Sequence, residues 1–160
     1  MVNVPCAQEM SNKANSIETF IANAKGSEVN DTISNPSPTV VAVDDDPELL
    51  TLVTLLLRRI GANVHTFTSS RAAIRYLINN TPDIIILDLM LPDISGLDLL
   101  RQIRKQRRFD PVPVLILSAK ADPDTIRSGL DLGANGYVTK PYIANSLIDR
   151  VRLLLEKKEE

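Results

Sequence analysis

Five side chains that could hold a metal ion and a phosphoryl group stand at the ends of apolar runs in this 160-residue chain. They are three carboxylates, a hydroxyl and an ammonium: Asp44, Asp45, Asp88, Ser118 and Lys140. Carboxylates held close together repel one another, and a divalent cation removes that repulsion. Ligands that are all oxygen atoms suit Mg²⁺, Mn²⁺ or Ca²⁺. A lysine beside the cation adds positive charge for a phosphoryl group, which an aspartate can accept as an acyl phosphate.

The elements that must bring these side chains together follow from hydrophobic periodicity, since short apolar runs alternate with helix-period segments from residue 39 onward. The predicted strands are 39–43, 63–67, 83–87, 112–118 and 136–139, and the predicted helices are 47–60, 69–77, 96–105, 122–133 and 143–157. The interior strands are apolar on both faces, as in a sheet that is covered on both sides. This pattern predicts an α/β fold with a doubly wound, five-stranded parallel sheet of flavodoxin-like order 2-1-3-4-5.

In that strand order, the carboxyl ends of strands 1 and 3 flank the point where open α/β sheets bind ligands. Each polar residue there also has a structural interpretation. An aspartate after a strand often forms a turn or caps a helix, and Asp46, which precedes Pro47, is assigned that role. Ser118 alone is more often structural, and Lys140 alone is usually solvated. The prediction of a site therefore depends on the five residues as a set.

Four motifs, in order and at suitable intervals, resemble those of the receiver domains of two-component response regulators, which have a chemotaxis-regulator-like fold. They are "VVAVDDDPELL", "IIILDLMLPDISGLDLL", "PVLILSAK" and "GANGYVTKP". The resemblance covers residues 39–157. It implies that Asp88 is the phosphoacceptor and that the reaction depends on Mg²⁺, with Mn²⁺ as an alternative. Asp45 then resembles the direct metal ligand, and Asp44 resembles a ligand that acts largely through water.

The resemblance assigns further roles around Asp88. The backbone carbonyl of Met90 is similar to a metal ligand, Ser118 to the hydroxyl that contacts the phosphoryl oxygens, and Lys140 to the family's catalytic lysine. Pro141 implies a cis Lys140–Pro141 bond, which proline allows at modest cost.

A switch is implied as well. Ser118 and Tyr137 resemble the hydroxyl and the aromatic whose movements remodel the surface of helix 4, strand 5 and helix 5. Tyr137 as an ordinary strand aromatic is the alternative. Met90 and Lys120 flank the site and are predicted to tune the rate at which the acyl phosphate is hydrolysed. Asn135-Gly136 stands where many winged-helix regulators carry an acidic pair, which weakens the expectation of the dimer geometry of that class.

The implied phosphodonor is a phosphohistidine on a sensor histidine kinase or a histidine phosphotransfer protein. The other implied partners are an output protein or an output domain outside this chain, and a second copy in a phosphorylation-dependent homodimer. The chain would catalyse only its own phosphorylation and dephosphorylation, so it is not predicted to be an enzyme. A net charge of −2 gives no support for direct nucleic-acid binding. The apolar window 49–57 is too short to span a membrane, and a cytoplasmic location is expected.

Two other functions compete with this interpretation. A phosphatase of the haloacid dehalogenase type also uses an aspartate at a strand end, but it needs a second acid two residues later, where this chain has Met90. A receiver-like scaffold that is never phosphorylated is the second alternative. The retention of all five polar residues argues against a scaffold.

Residues 1–38 are predicted to be a polar extension and linker, with one amphipathic helix between Met10 and Gly26 as a further expectation, and residues 39–160 are predicted to be the receiver domain. His65 is interpreted as structural. A basic run is interpreted as a solvated face near a helix C-terminus, with an acidic partner as the alternative. It comprises Arg101, Arg104, Lys105, Arg107 and Arg108.

Overall fold

A computed structural model describes residues 36–158 of the chain. The expectations for the extension, including its helix, lie outside the described residues apart from the last three positions. The strands are β1 (Thr39–Val43), β2 (Asn63–Phe67), β3 (Ile84–Leu87), β4 (Val114–Ser118) and β5 (Gly136–Thr139). The helices are α1 (Pro47–Arg58), α2 (Ser70–Leu77), α3 (Gly96–Arg104), α4 (Pro123–Asp131) and α5 (Ala144–Lys158), and a 3₁₀ turn spans Arg107–Phe109.

The five strands form one parallel sheet in the order β2-β1-β3-β4-β5, which confirms the predicted fold class and strand order. In the centre of the sheet, Val43 of β1 is paired with Leu87 of β3, so these two strands end level with each other. Each of these elements, α4 included, begins and ends within two residues of its predicted limits.

Side chains cap the starts of four helices and fix where each begins. The Asp46 carboxylate accepts hydrogen bonds from the backbone N–H groups of Glu48 and Leu49, as predicted for the residue before Pro47. Ser69, Ser95 and Asp122 cap α2, α3 and α4 in the same way. Gly61, with φ +79°, turns the chain out of α1 in a conformation that residues with a Cβ rarely adopt.

Alternate residues of the inner strands point to opposite faces and build two cores. The first core lies between the sheet and helices α1 and α5, and its helical members include Val53, Leu57, Leu147 and Val151. The second core lies between the sheet and helices α2 and α3, and its members there include Ala73, Leu77, Leu99 and Leu100. By contrast, α4 buries only Gly129, the fewest buried residues of the five helices. None of the helices within residues 36–158 combines the length and the apolarity that a membrane crossing requires.

The basic run is not simply a solvated face, and the prediction for it is wrong in part. Arg104 donates hydrogen bonds to the carbonyls of Gly133 and Phe109 and to the Asn135 side chain. Arg108 donates to the carbonyls of Leu77 and Ile78, at the C-terminus of α2. Apart from Phe109, the carbonyls that these two arginines satisfy lie 29 to 31 positions away in the chain, so the sequence does not reveal the contacts.

Candidate functional site

The candidate site lies at the carboxyl edge of the sheet, beyond the ends of β1 and β3. Asp44 follows β1 directly, Asp88 follows β3, and the backbone N–H of Asp88 donates to the carbonyl of Val43 at 2.9 Å. Asp44 and Asp88 are each 4% exposed, whereas Asp45 is exposed. One carboxylate oxygen from each of the three aspartates lies within 4.8 Å of the others. These three residues are called the acidic cluster below.

Lys140, the residue after β5, reaches across the sheet edge to the acidic cluster. Its Nζ donates to Asp44 Oδ2 at 2.5 Å and to Asp88 Oδ2 at 3.2 Å. The Lys140–Pro141 peptide is cis, as predicted. The strand ends thus bring Asp44, Asp88 and Lys140 into direct contact, with Asp45 beside them, although these residues are scattered over nearly a hundred positions.

The charges in this arrangement do not balance, because one ammonium faces three carboxylates. Burial raises the pKa of Asp44 above its ordinary value, and the hydrogen bonds from Lys140 and from the Asp46 N–H offset this only in part. Burial acts to lower the pKa of Lys140, but Asp44 and Asp88 outweigh it and leave that pKa raised. Lys140 therefore carries its charge at neutral pH, and the cluster retains an excess of negative charge.

A hard divalent cation fits this donor set. The cluster offers carboxylate oxygens and no imidazole or thiolate, which is the chemistry that Mg²⁺ and Mn²⁺ prefer in proteins. The backbone of Met90 lies beside the cluster, since its N–H donates to Asp88 Oδ1 at 3.2 Å, and the residue is 54% exposed. Asp44, Asp45 and Asp88 are thus the side chains that would hold such an ion.

The hydroxyl and the aromatic of the predicted switch lie on the next two strands. Ser118 ends β4 and is fully buried, and its Oγ accepts a hydrogen bond from the Lys120 N–H at 3.3 Å. The Tyr137 hydroxyl donates to the carbonyl of Lys120 at 2.6 Å. Burial raises the pKa of Tyr137, so its hydroxyl is protonated and acts as a donor at neutral pH. Lys120 is therefore bound to both switch residues through its backbone.

Sequence reasoning missed the role of Gly96, which was assigned only to the start of α3. Its backbone packs so closely on the end of β3 that a Cβ at this position would stand 2.1 Å from the carbonyl oxygen of Asp88. The Gly96 N–H also donates to the carbonyl of Leu89 at 2.9 Å. The spacing of Gly96 from Asp88 was visible in the sequence, but the chain reversal that joins them was not.

The sheet order, the acidic cluster and the lysine are together the arrangement that the receiver resemblance implied. The chain belongs to the family of response regulator receiver domains, whose family model matches residues 40–152. VanRc, a regulatory protein of Enterococcus gallinarum, is 42% identical over 121 residues, which are 76% of this chain and 51% of VanRc.

Two further comparisons agree with this assignment. The alkaline phosphatase synthesis transcriptional regulatory protein PhoP of Bacillus subtilis is 34% identical over 120 residues, which are 75% of this chain and 49% of PhoP. The structure of the chemotaxis response regulator CheY4 of Vibrio cholerae superposes with a TM-score of 0.70 at 26% identity, and the match covers 74% of this chain and 98% of that one. The chain spans about half the length of the curated relatives that it matches.

Proposed function

We propose that this chain is a phosphorelay receiver in which Asp88 accepts a phosphoryl group from a phosphohistidine of a sensor histidine kinase or a histidine phosphotransfer protein. The observation that carries the proposal is the contact of Lys140 with both Asp44 and Asp88 inside the acidic cluster. The contact supports the proposal because the ammonium of Lys140 lies beside Asp88, the proposed nucleophile, and beside Asp44, a proposed ligand for Mg²⁺.

The transfer forms a bond between an Asp88 carboxylate oxygen and phosphorus, while the bond between phosphorus and the donor imidazole nitrogen breaks. Mg²⁺ bound at the cluster would supply positive charge to the phosphoryl oxygens. Lys140 supplies a second positive charge from the protein, and Asp88 is oriented because the Met90 N–H and Lys140 hold its two oxygens. Catalysis of this kind consists mainly of positioning and electrostatic stabilisation.

The output step of the proposal uses the loop that follows β4. A phosphoryl group on Asp88 offers new acceptor oxygens to the Ser118 hydroxyl, which now accepts a hydrogen bond from Lys120. Movement of this loop displaces the carbonyl that the Tyr137 hydroxyl holds. The response reaches α4, because the Tyr137 ring would lie only 3.8 Å from a Cβ at Gly129. Helix α4 can shift at low cost, since it buries little apolar surface.

The partners downstream are part of the same proposal. The surface of α4, β5 and α5 would bind an output protein or an output domain, or a second copy of the chain in a phosphorylation-dependent homodimer. The regulators VanRc and PhoP are about twice as long as the matched region, which supports an output domain. We place the reaction in the cytoplasm and assign neither direct nucleic-acid binding nor membrane binding to residues 39–160, which we take to be the receiver domain that follows the extension.

An apolar groove of about 480 Å³ supports a protein as the phosphodonor, because the groove opens beside Lys140. It is lined by Leu49, Leu52, Ala119, Lys140, Pro141, Tyr142 and Ala144. Leu52 is 46% exposed and the neighbouring Ile143 is 74% exposed. A small phosphodonor such as acetyl phosphate does not need this groove, whereas a donor protein would cover it when its histidine approaches Asp88.

The experiment that tests the proposal is phosphorylation by acetyl phosphate with Mg²⁺, followed by mass spectrometry of the intact chain. We expect one acid-labile phosphoryl group per chain, mapped to Asp88. The absence of an adduct would support an unphosphorylated scaffold. Turnover of many small phosphomonoesters would support a phosphatase. Leu52→Glu should leave this reaction unchanged and slow phosphotransfer from a phosphorylated donor protein.

A further inference from the structure

We propose that Asp93 is a positioning residue, which ties the loop after β3 to the N-terminus of α2 and so holds the Met90 backbone and Asp88 in the geometry that binds Mg²⁺. The inference rests on the proposed function. It concerns a residue outside the acidic cluster that acts on the cluster by positioning the loop after β3. Asp93 is five positions after the phosphoacceptor, and it was not among the residues that the sequence singled out.

The Asp93 side chain binds the first two residues of α2. Asp93 Oδ1 accepts a hydrogen bond from the Ser70 N–H at 3.0 Å, and Oδ2 accepts one from the Arg71 N–H at 2.9 Å. The Asp93 side chain is only 18% exposed, although the residue lies at the surface. These two bonds lower the pKa of Asp93, so its carboxylate is ionised at neutral pH.

A third bond closes the contact from the opposite side. The Ser70 hydroxyl donates to the carbonyl of Ile94 at 2.7 Å, and Ser70 is fully buried. In all three bonds α2 supplies the donor and the loop supplies the acceptor: α2 offers two N–H groups and a hydroxyl, and the loop offers a carboxylate and a carbonyl. This set of three bonds is called the latch below.

The latch uses groups that a helix start leaves without partners. The first N–H groups of α2 have no acceptor within the helix. Ser69 caps only the Ala72 N–H, and Asp93 takes the two preceding ones. A carboxylate at a helix N-terminus is also favoured by the helix dipole. The Arg71 side chain adds little, because its Nε lies 4.0 Å from Asp93 and the side chain is 74% exposed.

The loop between β3 and α3 is therefore held at two places. At one place, Gly96 contacts the backbone of Asp88 and its N–H bonds to Leu89. At the other place, the latch fixes Asp93 and Ile94. Met90 lies between these two anchors, and its N–H bonds to Asp88 Oδ1. A loop that is already ordered loses less conformational entropy when a ligand binds to it, so the latch should increase the affinity for Mg²⁺.

The test compares Asp93→Ala with Asp83→Ala, which is a matched control at the opposite edge of the sheet. Asp83 also accepts a backbone N–H, that of Thr39, and it also pairs with a basic side chain, that of Lys158. Mg²⁺ binding is measured by titration calorimetry on unphosphorylated protein, and amide hydrogen exchange of residues 88–96 is measured by mass spectrometry without metal. Thermal unfolding of both variants shows whether their stability losses are comparable.

We expect Asp93→Ala to weaken Mg²⁺ binding by about tenfold, the lower end of what residues behind metal ligands contribute. Exchange of residues 88–96 should also become faster, and Asp88 should still be phosphorylated at saturating Mg²⁺. Asp93→Asn keeps one acceptor oxygen and should fall between wild type and Asp93→Ala. Asp83→Ala should change neither the affinity nor the exchange of this segment.

The inference is overturned if Asp93→Ala binds Mg²⁺ within twofold of Asp83→Ala, or if exchange of residues 88–96 is unchanged. Should Asp93→Ala fail to fold, Asp93→Asn and Ser70→Ala carry the same comparison, since each removes part of the latch. Failure of the proposed function has a different signature, because wild type itself would then form no adduct on Asp88.

Discussion

The two edges of the sheet each hold an aspartate–lysine pair, and they use it differently. At the amino edge, Asp83 accepts the Thr39 N–H at 2.8 Å and the Lys158 ammonium at 2.7 Å. At the carboxyl edge, one lysine serves two buried aspartates, Asp44 and Asp88. The amino edge is balanced in charge, whereas the carboxyl edge has an excess of carboxylates.

The pKa shifts of the two edges have opposite signs. At the amino edge, burial acts to raise the pKa of Asp83, but the bonds from Lys158 and the Thr39 N–H outweigh burial and leave that pKa lowered. At the carboxyl edge, burial dominates and the pKa of Asp44 is raised. The same residue types therefore stabilise the fold at the amino edge, where their charges balance. At the carboxyl edge they leave an excess of negative charge, which a bound cation would neutralise.

The largest effect should come from Asp88→Asn, which removes the carboxylate that we propose as the phosphoacceptor. We expect complete loss of the acid-labile adduct after incubation with acetyl phosphate and Mg²⁺, measured by intact-protein mass spectrometry. Asp83→Asn makes the same chemical change at the amino edge and should retain the adduct. If Asp88→Asn still formed one adduct per chain, the phosphoacceptor would lie elsewhere.

The next largest effect should come from Lys140→Met, which removes the only ammonium that contacts the acidic cluster among residues 36–158. Phosphorylation should slow by roughly 10²–10³-fold, the usual cost of losing one group that stabilises charge in a transition state. Mg²⁺ should bind more tightly, because the cluster loses a competing positive charge. Stopped-flow or quench kinetics and calorimetry measure the two effects. Lys158→Met should leave the phosphorylation rate and the Mg²⁺ affinity unchanged. An equal loss of rate in that control would refute the difference in function between the two edges.

A smaller effect is expected from Gly96→Ala, because its Cβ would overlap the carbonyl of Asp88. Forcing the backbone of the carboxyl edge apart should reduce the free energy of unfolding by about 1–3 kcal/mol, as overpacking does elsewhere. Urea unfolding measures the loss. Gly61→Ala is the comparison, since its Cβ would meet open space and only its φ of +79° is strained. A Gly96→Ala protein as stable as wild type would show that the close contact is not rigid.

The smallest effect is a pH dependence of opposite sign at the two edges, measured as the free energy of unfolding without metal between pH 3 and pH 7. A lowered pKa means that Asp83 stabilises the fold above about pH 4, and this contribution is lost as the pH falls through its folded-state pKa. A raised pKa means that Asp44 favours the fold in its protonated state, and this contribution is lost as the pH rises through its folded-state pKa.

As the pH rises, the free energy of unfolding of wild type should therefore increase relative to that of Asp83→Asn and decrease relative to that of Asp44→Asn. For Asp83 the change should be about half a kcal/mol or less, because its side chain is 41% exposed and solvent screens the pair. If both differences in the free energy of unfolding, wild type against Asp83→Asn and wild type against Asp44→Asn, changed in the same direction with pH, the opposite pKa shifts of the two edges would be contradicted.

The fold and the polar residues of the site could be predicted because their signals are local. Alternating apolar runs mark the strands, and a strand end marks the sheet edge, so Asp44, Asp88 and Lys140 fall at one edge once the strand order is known. Asp46 before Pro47 identifies the start of α1 in the same way. These signals need no knowledge of how distant segments touch.

The residues that were missed act through contacts between distant segments. Asp93 meets α2 across 22 and 23 positions, and Arg108 meets the end of α2 across 30 and 31. An aspartate or arginine on a loop has the same sequence signature whether it is solvated or caps a neighbouring helix. The direction of such a side chain depends on loop geometry, which periodicity does not encode.

The double contact of Lys140 also governs its reactivity as an amine. Only the deprotonated amine is a nucleophile, and a raised pKa keeps Lys140 protonated. Its side chain is also 20% exposed, whereas Lys105 and Lys120 are exposed residues. Acylating reagents should therefore modify Lys105 and Lys120 well before Lys140. Covalent labelling of Lys140 then reports whether the acidic cluster holds a cation. A cation that draws Asp44 away from Lys140 would free the amine of Lys140 to react with the reagent.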